Sequence, residues 1–156
     1  MQYRMKKYQL SEEEISDLLA KTDVGRLGTI DESGGPYVIA MHYVAYRGNI
    51  YLHGLPKGEK IDNISRNPKV CFEIDEMNGI VPGEKIACGT EALYSSVVIR
   101  GRAAILTDPG YKREVLDQLV CKYTPRYAGK ELPEKMVQAT AVIEIIPETC
   151  TGKYHR

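Results

Sequence analysis

Short apolar runs alternate with tight polar breaks along the chain, and the period of each run assigns its element. Ser11 can cap a helix, Glu14 completes a capping box three residues on, and Leu10 can staple onto Ile15. Ile15, Leu18 and Leu19 then share one face, so a helix is expected to end near Lys21. The segments GRLGTI, PYVIAMHYVAY and IYLHG are rich in β-branched and aromatic residues and read as strands. DESGG, from Asp31 to Gly35, is a hairpin turn between the first two. Arg47 to Asn49 is a second turn with two registers open. A turn at Arg47-Gly48 sets Tyr46 opposite Asn49 and His42 opposite His53, whereas a turn at Gly48-Asn49 sets His53 opposite Val44.

Tyr37, Ile39, Met41 and Tyr43 line one face of the second strand, and Val38, Ala40 and Val44 the other. A strand apolar on both faces fits a barrel wall flanked by helices or by a second subunit. Glu59 to Asn67 reads as a short helix stopped by Pro68, and KVCFEID as the next strand. Glu76 to Thr90, with its glycines and a proline, is expected to be a long loop. Leu93 to Thr107 is a long strand, bent at Gly101. Asp108 and Pro109 open a helix running to about Tyr123, with Leu116, Leu119, Val120 and Tyr123 as its buried stripe. One helical turn near Glu134 to Gln138 and a final strand, ATAVIEII, complete the series. The expected class is α+β: a single domain over residues 1–156, built as a six-stranded antiparallel split β-barrel with peripheral helices.

Composition narrows the functions this barrel can have. Lys plus Arg and Asp plus Glu each number 21, so the net charge is zero and no basic run marks a nucleic-acid face. No segment approaches the ~20 apolar residues of a membrane helix. The basic start, MQYRMKK, lacks a signal peptide's apolar core. The four cysteines have no Cys-x-x-Cys spacing, which reads as reduced, buried thiols in a cytoplasmic protein. Tyrosine dominates the aromatics, 11 against one Phe and no Trp, and suits subunit interfaces, flat-ligand sites and β-surfaces alike.

Candidate chemistry concentrates in His53-Gly54-Leu55-Pro56-Lys57-Gly58-Glu59-Lys60. The spacing is not that of a P-loop, because three residues separate the glycines and Lys60 is followed by Ile61. Gly58 allows close backbone approach, the first N–H groups of the following helix point outward, and Lys57 and Lys60 stand beside them. A phosphate fits such a place, and so does a solvated turn carrying two surface lysines. His42 and His53 lack the third donor of a metal set, so no metal is expected.

The order strand, DESGGPY turn, strand, IYLHG, G-x-K helix, Arg66-Asn67-Pro68 and VCFEID resembles the FMN-binding split barrels related to pyridoxamine 5′-phosphate oxidase. GRLGTIDESGGPYVIAMHYV, Tyr94 to Gly101 and the closing Thr151-Gly152-Lys153 are most similar to the nitroimidazole-resistance branch. The resemblance implies a homodimer with FMN at the subunit interface. Ala40, Met41, His42 and Tyr43 would run along the isoalloxazine ring, with His53 and Gly54 beside it and Lys57, Gly58 and Lys60 on the phosphate. Tyr94, Ser95 and Ser96 match a strand near the cofactor that the other subunit can supply. The oxidase itself carries Arg and Lys in the strand matching residues 39–44 and a Trp near its end; this chain has neither feature, which argues against pyridoxamine phosphate oxidation. Where Ser95 stands, many members of the resistance branch carry Arg.

The implied activity is reduction of small organic acceptors of nitro or quinone type by flavin hydride transfer. His53 is the preferred proton donor and His42 the other candidate, since imidazole titrates near neutrality. A flavin-binding redox sensor or store, and a haem protein using His42 and His53 as axial ligands, are the alternatives.

Overall fold

A computed structural model describes residues 7–156. The basic start, read as lacking a signal peptide's apolar core, lies, except for Lys7, outside the described residues. Among the described residues six strands are present: β1 (Val24–Ile30), β2 (Pro36–Tyr46), β3 (Asn49–Gly54), β4 (Lys69–Val81), β5 (Glu91–Ile105) and β6 (Ala141–His155). The α-helices between Glu12 and Ala139 are α1 (Glu12–Lys21), α2 (Glu59–Arg66), α3 (Pro109–Tyr123) and α4 (Glu134–Ala139). All strand pairs are antiparallel, and the barrel closes in the order β1-β2-β3-β6-β5-β4. The expected α+β split barrel with peripheral helices is the observed architecture.

The split lies in β2. Residues 36–42 pair with β1, whereas residues 43–46 pair with β3. Beyond Tyr43 and Leu52 the edges of β2 and β3 part, and β3 spends His53 and Gly54 pairing with β6. Of the two turn registers, the structure adopts Tyr46 opposite Asn49. Arg47 and Gly48 both take positive φ, 49° and 82°, which is the twist a two-residue hairpin turn requires. The Arg47 guanidinium is held by Glu114 at 2.8 Å and lies over the Tyr46 ring.

Alternation along the strands sorts side chains into two cores. Leu27, Tyr43, Leu52, Phe72, Ile74, Val97, Ile143 and Ile145 fill the barrel interior. Val44, Tyr51 and Val142 face outward and are covered by Val115 and Leu119 of α3. Tyrosine's abundance finds its use here: the Tyr51 hydroxyl meets Tyr111 at 2.6 Å and Glu144 at 2.8 Å, while Tyr46 meets Glu114. Burial raises the Tyr51 pKa, so the network stays protonated at its centre. The expected capping box of α1 forms, and α3 starts at the Asp108 cap with Pro109 in its first turn.

Three expectations are corrected. Glu76 to Thr90 is not a long loop: β4 continues to Val81 and β5 begins at Glu91. Gly79, at φ 138°, takes up a register shift after Met77, so the glycine makes an irregularity inside a hairpin rather than ending the strand. The last strand does not stop at ATAVIEII but runs to His155, because Pro147 is accommodated at the register shift opposite Gly101. A Cβ on Gly101 would lie 2.2 Å from the Ile146 carbonyl oxygen, which fixes that position as glycine. All four cysteines are exposed rather than buried, since Cys71 and Cys150 fall on outward strand positions, Cys121 on the open face of α3 and Cys88 on a short turn.

Candidate functional site

The chain leaves β3 at Gly54 and enters α2 at Glu59 after four intervening residues, at the place where β2 and β3 have separated. Gly58 caps α2 at φ 107°, in backbone space that favours glycine, and supplies no side chain. Its carbonyl accepts from the N–H groups of Ile61 and Asp62, at 2.8 and 3.2 Å. The N–H groups of Glu59 and Lys60 have no partner within the helix, and the helix dipole adds positive potential there. α2 is anchored through Asn63, fully buried, whose amide donates to the Thr29 hydroxyl at 3.0 Å and accepts from Arg66.

Lys60 folds back from this start over the end of β3. Its Nζ lies 3.6 Å from where a Cβ on Gly54 would sit, with Met41 Cε 3.9 Å from the same point. A side chain at position 54 would crowd both, so glycine there leaves a recess bounded by an ammonium and a thioether. Neither Lys57 nor Lys60 makes a hydrogen bond or ion pair among the described residues. Glu59 and Asp62 also lie in the first turn, but neither engages these lysines. The recess therefore offers an unneutralised cation and two open backbone donors, a donor set suited to a phosphate.

His42 and His53 lie on the opposite, outward side of the same strand ends. Both line a cavity of about 400 Å³ between the barrel wall, α3 and α4. Leu116, Leu119, Val120, Leu132, Met136 and Val137 supply its apolar walls. α4 is pinned to α3 by Arg113, which reaches Glu134 and the Leu132 carbonyl. The His42 ring lies 4.7 Å from the Tyr123 ring, tilted by 35°. Burial first, and the neighbouring His42 charge second, hold the His53 imidazole below its ordinary pKa of 6.5. At pH 7 His53 is therefore mostly neutral.

The remaining residues assigned by resemblance are dispersed. Ala40 is exposed on β2. Tyr43 is fully buried, its hydroxyl bonded to Thr22 and to the Leu19 carbonyl and its N–H directed to the Tyr123 hydroxyl. Burial pushes the Tyr43 pKa up to about 12, so its phenol is a neutral strut. Tyr94, Ser95 and Ser96 pair with His155, Tyr154 and Lys153 of β6, whereas His53 pairs with Val142. Positions 142 and 155 are separated by about 40 Å of strand at ~3.3 Å per residue. One copy of the chain thus does not bring the Tyr94 segment to the His53 end. The Lys153 ammonium lies 5.5 Å from the Tyr94 ring centre, across from Ser96.

Sequence reasoning saw the apolar stripe of α3 but not its role as a cavity wall, because periodicity does not say which surface a stripe covers. It also missed Asn63, whose only signal was a polar residue beside Ile64 on the buried face of a short helix. Gly152 of the closing Thr-Gly-Lys is set by packing, since a Cβ there would lie 2.7 Å from Leu10 and 2.8 Å from Ile15.

No helix among the described residues is long and apolar enough to cross a membrane. Among the described residues no three His, Cys, Asp or Glu side chains are grouped to hold a metal ion. Residues 11–154 match the family model for pyridoxamine 5′-phosphate oxidase. No curated protein sequence matches the chain. Among solved structures, a candidate 5-nitroimidazole antibiotic resistance protein from Bacteroides thetaiotaomicron is 25% identical, with 94% of this chain and 86% of that one covered and a TM-score of 0.82. The flavocytochrome Anf3 from Azotobacter vinelandii is 20% identical, covering 99% and 72%, with a TM-score of 0.86. An FAD and heme binding protein from Mycobacterium smegmatis is 17% identical, covering 96% and 74%, also with a TM-score of 0.86. These last two resemblances establish the shared fold.

Proposed function

The chain belongs to the pyridoxamine 5′-phosphate oxidase family, and from that premise we propose that it is an FMN-dependent oxidoreductase acting on small organic acceptors. The observation that carries this reading is the unpartnered Lys60 ammonium, folded over Gly54 beside the open N–H groups that start α2. An ammonium left without a carboxylate at a helix start fits a dianionic phosphate better than a solvated turn. Lys57, Gly58 and Lys60 hold the FMN phosphate in this reading, and Ala40 to Tyr43 follow the ring system. Met41 supplies a side chain there, while Tyr43, committed to the core, fixes the strand. FMN, when bound, supplies the hydride transfer.

The site is completed by a second copy. The Tyr94-Ser95-Ser96 segment lies too far along β6 to reach its own His53 end, so in a homodimer it serves the partner's cofactor. His53 faces the acceptor with a neutral imidazole at pH 7, donating an N–H to the oxygen on which negative charge develops. Its protonated form gains weight as the pH falls below 6.5. The absence of Arg and Lys from residues 39–44 leaves no charged clamp for a phosphorylated pyridoxine substrate on β2.

An absorbance and fluorescence spectrum of the purified protein, with chromatography of the heat-released ligand, tests the cofactor. Yellow protein releasing FMN is expected. Colourless protein that ignores added FMN overturns the reading, and a Soret band in place of flavin bands assigns the site to haem. Saturable reoxidation of the reduced protein by a nitroaromatic then separates an enzyme from a sensor. His53→Gln should keep FMN bound and slow that reoxidation; unchanged rates remove the proton-donor role.

A further inference from the structure

We infer that the buried hydrogen bond between Asn63 and Thr29 positions the recess at the start of α2, and so sets this protein's preference for a phosphorylated flavin over the bare ring system. The role rests on FMN being the cofactor. The start of α2 has little of its own to hold it: Leu55, Pro56, Lys57, Gly58 and Glu59 are all exposed. Gly58 provides no side-chain cap, and at φ 107° it brings no Cβ to pack. The direction of the open Glu59 and Lys60 N–H groups is therefore inherited from the buried half of the helix. There Ile61 and Ile64 pack on the barrel core. Apolar contact is non-directional, and by itself it leaves a helix of eight residues free to roll on the barrel.

Asn63 removes that freedom. Its side chain is fully buried, and Thr29, on the inward side of β1, is 2% exposed. Burying an amide is unfavourable unless its polar atoms are paired. Here both ends are: the Asn63 oxygen accepts from Arg66 Nη2 at 3.0 Å, and the amide nitrogen donates to Thr29 Oγ1 at 3.0 Å. A guanidinium can only donate, so Arg66 fixes which end of the amide faces β1. A satisfied buried hydrogen bond has direction and specifies one arrangement, which packing alone does not. Asn63 follows Lys60 by three residues and Glu59 by four, so it shares their side of the helix one turn below the recess. Thr29 is itself held in the β1–β2 ladder opposite Tyr37. One bond thus refers the open N–H groups and the Lys60 stem to the barrel wall. Asn63, with no exposed surface, does not touch a bound phosphate; it acts through the helix start.

The test titrates flavin-free protein with FMN and with riboflavin, by fluorescence, and reads the ratio of the two affinities. Thr29→Val keeps the shape and removes the hydroxyl, whereas Thr29→Ser keeps the hydroxyl. The preference for FMN should fall about tenfold in Thr29→Val, the worth of one misaligned hydrogen bond to phosphate, with riboflavin affinity unchanged. Thr29→Ser should stay within about twofold of wild type. Thr29→Ala removes the same hydroxyl with a smaller side chain, should repeat the valine result, and replaces it if the valine variant does not fold. Added to Lys60→Met, Thr29→Val should lower the preference by clearly less than it does alone, because both changes act on one contact. An unchanged preference in Thr29→Val, an equal loss in Thr29→Ser, a parallel loss of riboflavin, or fully multiplicative effects with Lys60→Met overturns the inference. A wild type that prefers FMN as strongly as Thr29→Val does removes this role alone. A wild type that binds neither flavin, or both equally, removes the phosphate site and the role with it.

Discussion

Replacing Lys60 by Met asks whether the recess at the start of α2 is a phosphate site. The Lys60 ammonium has no carboxylate partner among the described residues, and its stem packs over Gly54 and Met41, so methionine keeps the packing and deletes only the charge. A charge-assisted hydrogen bond contributes about 1.5–3 kcal/mol. At about 1.4 kcal/mol per tenfold, FMN binding should weaken roughly 10- to 150-fold. Lys57 is exposed on the turn and makes the weaker, solvent-screened contact, so Lys57→Met should cost about 1 kcal/mol or less, no more than roughly fivefold. Riboflavin carries the same ring without the phosphate, so its affinity should be the same in wild type and Lys60→Met. Fluorescence titrations of both ligands against both proteins form a thermodynamic cycle. The FMN contrast should also shrink with salt. The reasoning is refuted if riboflavin weakens as much as FMN, or if neither weakens. A lowered melting temperature of the flavin-free variant would instead mean that Lys60 has a structural role the geometry does not show.

Further expectations concern the scaffold and the histidine pair. In Gly25→Ala the new Cβ would lie 2.0 Å from Phe72 Cζ in a fully buried ring, an overpacking that costs about 1–3 kcal/mol or more, hence a melting point lower by roughly 3–10 °C; a drop under ~1 °C would contradict the packing. The Lys122 ammonium donates to the Thr22 and Leu19 carbonyls at 2.8 and 3.1 Å and lies 3.9 Å from the Tyr43 ring centre. The Leu19 carbonyl retains the Tyr43 hydroxyl if the lysine is lost, so Lys122→Met should cost about 2 kcal/mol in denaturant unfolding. His53 should titrate below 6.5 by NMR, and His42→Asn should move that midpoint upward but leave it below 6.5, since burial is the larger cause. Because the folded value lies below the unfolded one, the stability carried by neutral His53 is present above 6.5 and lost as the pH falls through the folded value. A wild-type midpoint at or above 6.5 would refute the pairing.

The elements themselves were legible because their causes are local. The Ser11–Glu14 box, the Asp108-Pro109 start and the Asp31–Gly35 turn each depend on side chains within a few residues of the backbone they cap. The two boundary errors arose where the cause was remote. Pro147 stays in β6 because a partner strand shifts register opposite it, and Gly79 stays in β4 because β5 pairs on either side. The cysteines misled for a similar reason, since residue type predicts burial on average but strand phase decides it at each position.

The order of motifs in the sequence by itself determined the fold and the family, and brought His42, His53, Gly54, Gly58 and the two lysines into one neighbourhood. Only tertiary structure decided which side of the strand each would serve. The two-residue turn at Arg47-Gly48 set the register, and the parting of β2 from β3 opened the sheet there. With the side-chain period of two along a strand, Gly54 and Met41 then fall with Lys60 on one side, and His42 and His53 with α3 on the other. The apolar cavity exists because α3 crosses that outer face and Arg113 draws α4 against it, contacts between residues far apart in the chain. Such contacts depend on closure of the barrel, which no local window of the sequence contains.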